Sequence, residues 1–202
     1  TAVLATDGAI GTVNVTNPGT LYTAAPGVTT SISPSSGITT FLVSLEAGGK
    51  VAIVAIPGGG GGSGYTSPTG TFSAPPNREF DANTSIANNA ISFTSTTFSN
   101  GDRVVYDNNT NSDLTNLTNG TTYYVVNRNS ETHTLQLAAT QGGTPITLSA
   151  TSGQEIHIIR GVTAQAGAVT VSAGAITAVA IADAGSGYTI GASPTLTMSE
   201  DG

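Results

Sequence analysis

Cysteine and tryptophan are absent from this sequence, lysine occurs once, at Lys50, and only 8% of the residues are charged. Without thiols there is neither a disulfide framework nor a thiolate metal site, so stability has to come from packing and strand pairing. Lys50 and four arginines (Arg78, Arg103, Arg128, Arg160) are too sparse to line a phosphate backbone. With a formal charge of −7, nucleic acid and anionic membrane are not expected as partners. No run of about 18 apolar residues occurs, which excludes a membrane-spanning helix, and no membrane insertion is expected. Apolar residues at helical spacing are missing as well. A hydrophobic share of 38% separates the chain from disordered sequences, which couple low hydrophobicity to high charge. A chain that opens on Thr1, with no signal-peptide pattern, is expected to be a processed product or a segment of something longer.

What is present is strand chemistry. Short runs of Val, Ile, Thr and Tyr are bounded by Gly, Pro, Asn and Ser, so the chain reads as all-β. The segment GGGGGSGYT, 58–66, invites reading as a linker or a phosphate loop. A phosphate loop, however, needs a following Lys-Ser/Thr pair or a helix, and neither is there. Alignment instead exposes a repeat. GAIGTVNVTNPGTLYT (8–23) and GAITAVAIADAGSGYT (174–189) match without a gap, and GKVAIVAIPGGGGGSGYT (49–66) matches with two extra glycines. In each copy an apolar residue (Ile10, Val51, Ile176) is followed three and five positions later by another pair (Val13 and Val15, Val54 and Ile56, Val179 and Ile181). A step of two keeps one strand face, and the step of three predicts a bulge. Upstream hairpins are predicted to turn at Asp7-Gly8 and Ala173-Gly174. A glycine corner then carries Gly19, Gly64 or Gly187 into an anchoring tyrosine, Tyr22, Tyr65 or Tyr188, expected to pack over its own corner.

Between the second and third copies the texture changes. Strands are predicted at 90–95, 102–107, 121–128, 133–139 and 155–160, with turns at Asn100-Gly101, Asn119-Gly120, Gly142-Gly143 and Ser152-Gly153. The expected organisation is a β-repeat region over 1–77 holding two copies, a small β-sandwich or barrel-like domain inserted over 78–160, and a third copy over 161–202 packing with 1–77.

No catalytic, cofactor-binding or metal-ligating residue is expected. His133 and His157 lie in alternating runs and read as side chains on sheet faces. Two histidines without cysteine or an HExxH pattern make no zinc site. DNNTNSD (107–113) alternates oxygen side chains, but Ser112 and Thr118 stand where a calcium loop needs Gly and Glu, so it reads as a polar loop. An isopeptide crosslink would need a buried amine, and Lys50 reads as a solvated turn residue. Five asparagine sequons (Asn14, Asn83, Asn108, Asn116, Asn119) are what chance gives in a chain this rich in Asn and Thr. Tyr123 and Tyr124 are the candidate exposed aromatics for stacking on sugar, with one ring of the pair expected in the core.

GSGYTSPTGTFSAPP (62–76) and GSGYTIGASPTLT (185–197) resemble modules repeated in structural proteins of tailed bacteriophages, cyanophages and other marine phages among them. FSNGDRVVYDNN (98–109) with LTNGTTYYVVNRNSETHTLQLAAT (117–140) resembles another module of those virion proteins, shared with bacterial surface adhesins. The first copy departs from the pattern, with Thr20-Leu21 before Tyr22. The resemblance implies a non-enzymatic, oligomeric component of a tail, fibre, baseplate or capsid surface, located in the virion or on an extracellular surface. Its partners would be itself and other virion or surface proteins, with no cofactor. The alternatives are a bacterial extracellular filament or adhesin segment, and a carbohydrate-binding module that takes cell-surface glycan as its partner.

Overall fold

The computed structural model describes residues 2–4, 10–13, 41–58 and 61–200. Among them every regular element is a strand and every strand pairing is antiparallel. Three two-stranded hairpins mark the repeats: β1 (Ala2–Leu4) with β2 (Ile10–Val13), β3 (Leu42–Glu46) with β4 (Lys50–Ala55), and β13 (Gln165–Ser172) with β14 (Ala175–Asp183). The second copy ends in β5 (Pro68–Phe72) and the third in β15 (Leu196–Glu200).

All three hairpins carry the bulge that the step of three predicts, at the same place. Val3 pairs with Thr12 and Leu4 with Ile10, passing over Gly11. Ser44 pairs with Ile53 and Leu45 with Val51, passing over Ala52. Thr170 pairs with Ala178 and Val171 with Ile176, passing over Thr177. One extra residue shifts strand parity, so residues three apart return to one face. Val51 and Ile176 are accordingly buried, and Val54 and Val179 pack in the same core.

The second and third copies form one unit. Their end strands β5 and β15 pair with Thr71 opposite Thr197, Phe72 opposite Leu196 and Gly70 opposite Met198. SPTGTF (67–72) aligns with SPTLTM (193–198), so Thr71 and Thr197 are equivalent and the pairing is symmetric about them, a local two-fold. β13 joins the other side of β5 through Gln165 and Thr71, giving the order β14-β13-β5-β15. Beneath lies a core to which both copies contribute: Val43, Val51, Tyr65 and Phe72 from one, Ile176, Val179, Tyr188 and Leu196 from the other.

The intervening segment supplies β6 (Asn77–Asp81), β7 (Ile86–Ala87), β8 (Ala90–Ser92), β9 (Arg103–Asp107), β10 (Thr122–Asn129), β11 (Thr134–Ala138) and β12 (Ile156–Gly161). They form a sheet in the order β6-β12-β9-β10-β11-β8-β7, which stays open and closes no barrel. Alternation places Val104 and Tyr106, Tyr123 and Val125, and Leu135 and Leu137 inward. Phe98, Leu114, Leu117 and Leu148 from the connecting loops join that core. Each of the five strands expected here forms. β6, an edge strand, offers Phe80 as its single apolar residue among Arg78, Glu79 and Asp81, too little to betray a strand, and is held by full-length pairing with β12.

His133 is a correction: it precedes β11 in a left-handed conformation (φ 52°) instead of sitting in the strand. His157 does lie in β12, fully buried.

Candidate functional site

The two glycine corners have nearly the same backbone. Gly62 and Gly64 have φ of 64° and 84°, and Gly185 and Gly187 have 65° and 78°, left-handed values open to glycine at little cost. Tyr65 and Tyr188, the residues that follow, are both buried. Gly19 and Tyr22 of the first copy lie outside the described residues, as does the turn at Asp7-Gly8.

The corners do not simply fold under their own tyrosines. Each docks on the hairpin turn of the other copy, through hydrogen bonds between equivalent residues. In one junction Val51 N–H donates to the Ala184 carbonyl at 2.8 Å and Tyr188 N–H to the Gly49 carbonyl at 3.1 Å. In the other Ile176 N–H donates to the Gly61 carbonyl and Tyr65 N–H to the Gly174 carbonyl, each at 2.9 Å. Val51 matches Ile176, Gly49 matches Gly174, Ala184 matches Gly61 and Tyr188 matches Tyr65, so the two junctions are one interaction used twice. The approach is close enough that a Cβ on Gly49 would collide with the Tyr188 backbone. Tyr188 adds a bridge of its own: its hydroxyl accepts from Ala164 N–H at 3.0 Å and donates to the Ser73 carbonyl at 2.8 Å. Burial, opposed by the Ala164 N–H, raises its pKa above the usual tyrosine value.

The third corner is also pressed against the seven-stranded sheet. Ser186, buried, donates its hydroxyl to the Arg103 carbonyl at 2.6 Å and accepts from Val162 N–H at 3.0 Å, while a Cβ on Gly187 would strike the Phe98 ring. Gly64 has open space at the same position. Two ion pairs join the repeats to this sheet, one from each copy. Arg103 on β9 pairs with Asp183 at the end of β14. Burial tends to raise the Asp183 carboxyl, but the Gly185 N–H and the Arg103 guanidinium outweigh it and hold its pKa below the ordinary value. The second pair corrects the reading of Lys50 as a solvated turn residue. It is half-buried, with its amine 2.7 Å from Oδ1 of fully buried Asp102. At that distance the two charges form an ion pair. Oδ2 accepts from Ser99 N–H at 2.7 Å.

Inside the seven-stranded sheet a polar array links Glu155, His157 and Tyr106. The Tyr106 hydroxyl accepts from Leu114 N–H at 2.9 Å and lies 2.8 Å from His157 Nδ1. The other ring nitrogen, Nε2, lies 3.5 Å from the Glu155 carboxylate. Burial, partly offset by the Leu114 N–H, pushes the Tyr106 pKa up to about 12. Both imidazole nitrogens face protein groups, and none of the surface depressions described below is lined by these residues.

The depressions are shallow and open. One of about 470 Å³ lies between Phe41–Val43 and Ser193–Leu196, one of about 540 Å³ beside Arg103 and Arg160, and one of about 400 Å³ near Asn127 and Pro145. A smaller one, about 260 Å³, lies beside Lys50, Tyr124 and Asp183. Tyr123 is the ring of the pair that lies in the core: it is buried in the sheet, where its hydroxyl accepts from Thr118 N–H at 2.9 Å. Tyr124, pointing the other way, is half-buried. In the loop 107–113 the oxygens serve the chain itself. Asp107 Oδ1 accepts from Asn109 N–H and Asp113 from Asn108 Nδ2 and Asn119 N–H, while Arg160 pairs with Asp107. Among the described residues no group of three or more His, Cys, Asp or Glu side chains could hold a metal ion.

Comparison with family models, with curated proteins and with solved structures finds no significant match. The geometry is therefore the guide. The sequence marks Tyr65, Tyr188, Gly64 and Gly187, and the structure places the first of each pair in one junction and the second in the other. Sequence reasoning misses the receiving side, Gly49 and Gly174, and the clamp residues Ser186 and Asp102. The only available signal for Gly49 and Gly174 is that glycine stands at this place in all three aligned copies, Gly8 included.

Proposed function

We propose that this protein is a non-enzymatic structural component of a tailed-phage virion, a fibre, tail-associated or capsid-decorating subunit that acts by self-association and docking. The observation that carries the reading is the doubled junction: two repeats far apart in sequence bury one core and exchange corners through the same hydrogen bonds. A repeat of this kind cannot bury its apolar face alone, so partner repeats are what it is built to bind. Sparse Lys and Arg, shallow depressions and short strands with glycine corners suit a packing material exposed outside cells. A bacterial extracellular filament or adhesin segment would draw on the same junctions. The carbohydrate-binding alternative would have to use Tyr124, because Tyr123 is committed to the core.

Sedimentation of the purified chain from roughly 1 to 100 µM, with co-sedimentation on phage particles, tests the proposal. Concentration-dependent association and retention on particles are expected. A chain that remains monomeric and binds no particle overturns it, and polymer in culture supernatant free of phage DNA points to the filament.

A further inference from the structure

Strand pairing decides what surrounds Tyr124. It stands opposite Arg103 across β10 and β9. One row along, Thr122 stands opposite Val105, Val105 opposite Arg160 on β12, and Arg160 opposite Asn77 on β6. Residues two apart on a strand share a face, and this face is turned away from the sheet core, because the intervening Tyr123 and Val104 are buried. The two rows line two adjoining depressions. Asn77, Val105, Thr122 and Arg160 line the one of about 540 Å³, Lys50, Tyr124, Gln141 and Asp183 the one of about 260 Å³, and Arg103 lines both. Together they fall within the roughly 300 to 1,000 Å³ of small-molecule sites.

Charge restricts what this groove takes. Each cation along it already has a carboxylate: Arg103 pairs with Asp183, Arg160 with Asp107 and Lys50 with Asp102. An anion would have to displace one of those partners. The Arg103 and Asp183 side chains nevertheless stay 41% and 26% exposed, and those of Arg160 and Asp107 45% and 21%. A guanidinium has five N–H donors and a carboxylate about four acceptor sites, so one ion pair leaves donors and acceptors side by side at fixed positions. A sugar hydroxyl, which donates and accepts at once, matches that arrangement, and the apolar face of a sugar ring matches an aromatic ring such as Tyr124. We infer that the outer face of β9, β10 and β12 binds a neutral oligosaccharide. One sugar ring stacks on Tyr124 with its hydroxyls on Arg103, Asp183 and Gln141, and the next extends past Arg103 toward Thr122 and Arg160.

The site goes beyond the self-association reading and does not depend on it. An array of short neutral oligosaccharides, with sialylated and sulfated glycans alongside, is probed with the full chain and its Tyr124→Ala and Tyr124→Phe variants, and thermal melting serves as the folding control. The parent is expected to bind neutral glycans with little dependence on salt, since no net charge is neutralised. Tyr124→Ala is expected to weaken that binding on the order of tenfold, and Tyr124→Phe, which keeps the ring, to retain most of it. If Tyr124→Ala lowered the melting temperature, Gln141→Ala at an exposed position would decide by a several-fold loss. Binding that survives both alanine variants overturns the site. Binding confined to sialylated or sulfated glycans and abolished by salt overturns the neutral ligand, and no binding to any glycan overturns the inference while leaving self-association standing. A monomeric chain that still binds neutral glycan through Tyr124 keeps the site and removes the assembly reading.

Discussion

Between Asn77 and Gly161 the chain builds its core from one continuous stretch of sequence, with aromatic and aliphatic side chains on successive strands. The core beneath β5 and β15 is assembled from residues as distant as Val43 and Leu196, with both repeats contributing. The first region therefore carries its own reason to fold, whereas each repeat depends on the arrival of the other. What a repeat offers is a surface completed by a second repeat, the property an assembly subunit needs and a solitary globular domain does not.

The largest expected effect breaks this dependence. Gly49→Val places a branched side chain at φ 62° against the backbone of Tyr188. Strain and collision together exceed what a typical point mutation costs, on the order of 4 kcal/mol or more. Because the turn belongs to one repeat and the tyrosine to the other, the loss is shared. Hydrogen exchange of the variant is expected to show lost protection in β3–β5 and β13–β15 with β9–β12 still protected. Gly153→Val, where an added Cβ meets open space, is the control and is expected to melt near the parent. Loss of protection confined to β3–β4 would mean that the repeats do not depend on each other.

The next effect sharpens the comparison from the side of the seven-stranded sheet. Tyr106 has its pKa raised to about 12, against about 10 in an unfolded chain. A raised pKa means that the folded state favours the protonated phenol. Its contribution is complete below about pH 10 and is lost as the pH climbs through about 12, a difference on the order of 2 to 3 kcal/mol. Denaturant melts monitored at rising pH are expected to lose stability across that window. Tyr106→Phe is expected to flatten the dependence and to lower stability near neutral pH by leaving Leu114 N–H and His157 Nδ1 without their partner. An unchanged alkaline slope in that variant would assign the loss to other groups.

These cases show why some of the fold could be read in advance and some could not. The strands of the middle region announce themselves by alternation, as in DRVVYD and TTYYVVNR, because one face of the sheet is buried. The repeat hairpins are visible through Ile10, Val51 and Ile176, since a bulge leaves a step of three in the apolar pattern. The exchange of corners leaves no such mark. It is made by backbone N–H and carbonyl groups, which every residue has, and by the small size of Gly49 and Gly174, which looks the same whether a turn or a neighbour requires it. The ion pair of Lys50 with Asp102 is equally silent in sequence, for a lone lysine beside two glycines is ordinarily solvated. Edge strand β6 is missed because Phe80 is its single apolar residue, while pairing with β12 along its whole length does the rest.

The smallest expected effect concerns the tyrosine that the sequence did mark. Tyr188 is buried, and its hydroxyl joins Ala164 N–H to the Ser73 carbonyl, linking the segment before β13 to the end of β5. Tyr188→Phe keeps the ring in the shared core and removes only the bridge. The cost is that of a buried N–H left unpaired, about 1 to 2 kcal/mol, and it is expected to appear in the melting of the repeat unit. Tyr188→Ala removes the ring as well, for about 3 to 5 kcal/mol. The difference between the two variants separates what the ring contributes by filling the core from what the hydroxyl contributes by tying strands together. Equal losses in both would mean that the hydroxyl bridge holds the corner in place. A Phe variant as stable as the parent would leave ring packing and the Tyr188 N–H to Gly49 carbonyl bond as the whole of the anchor.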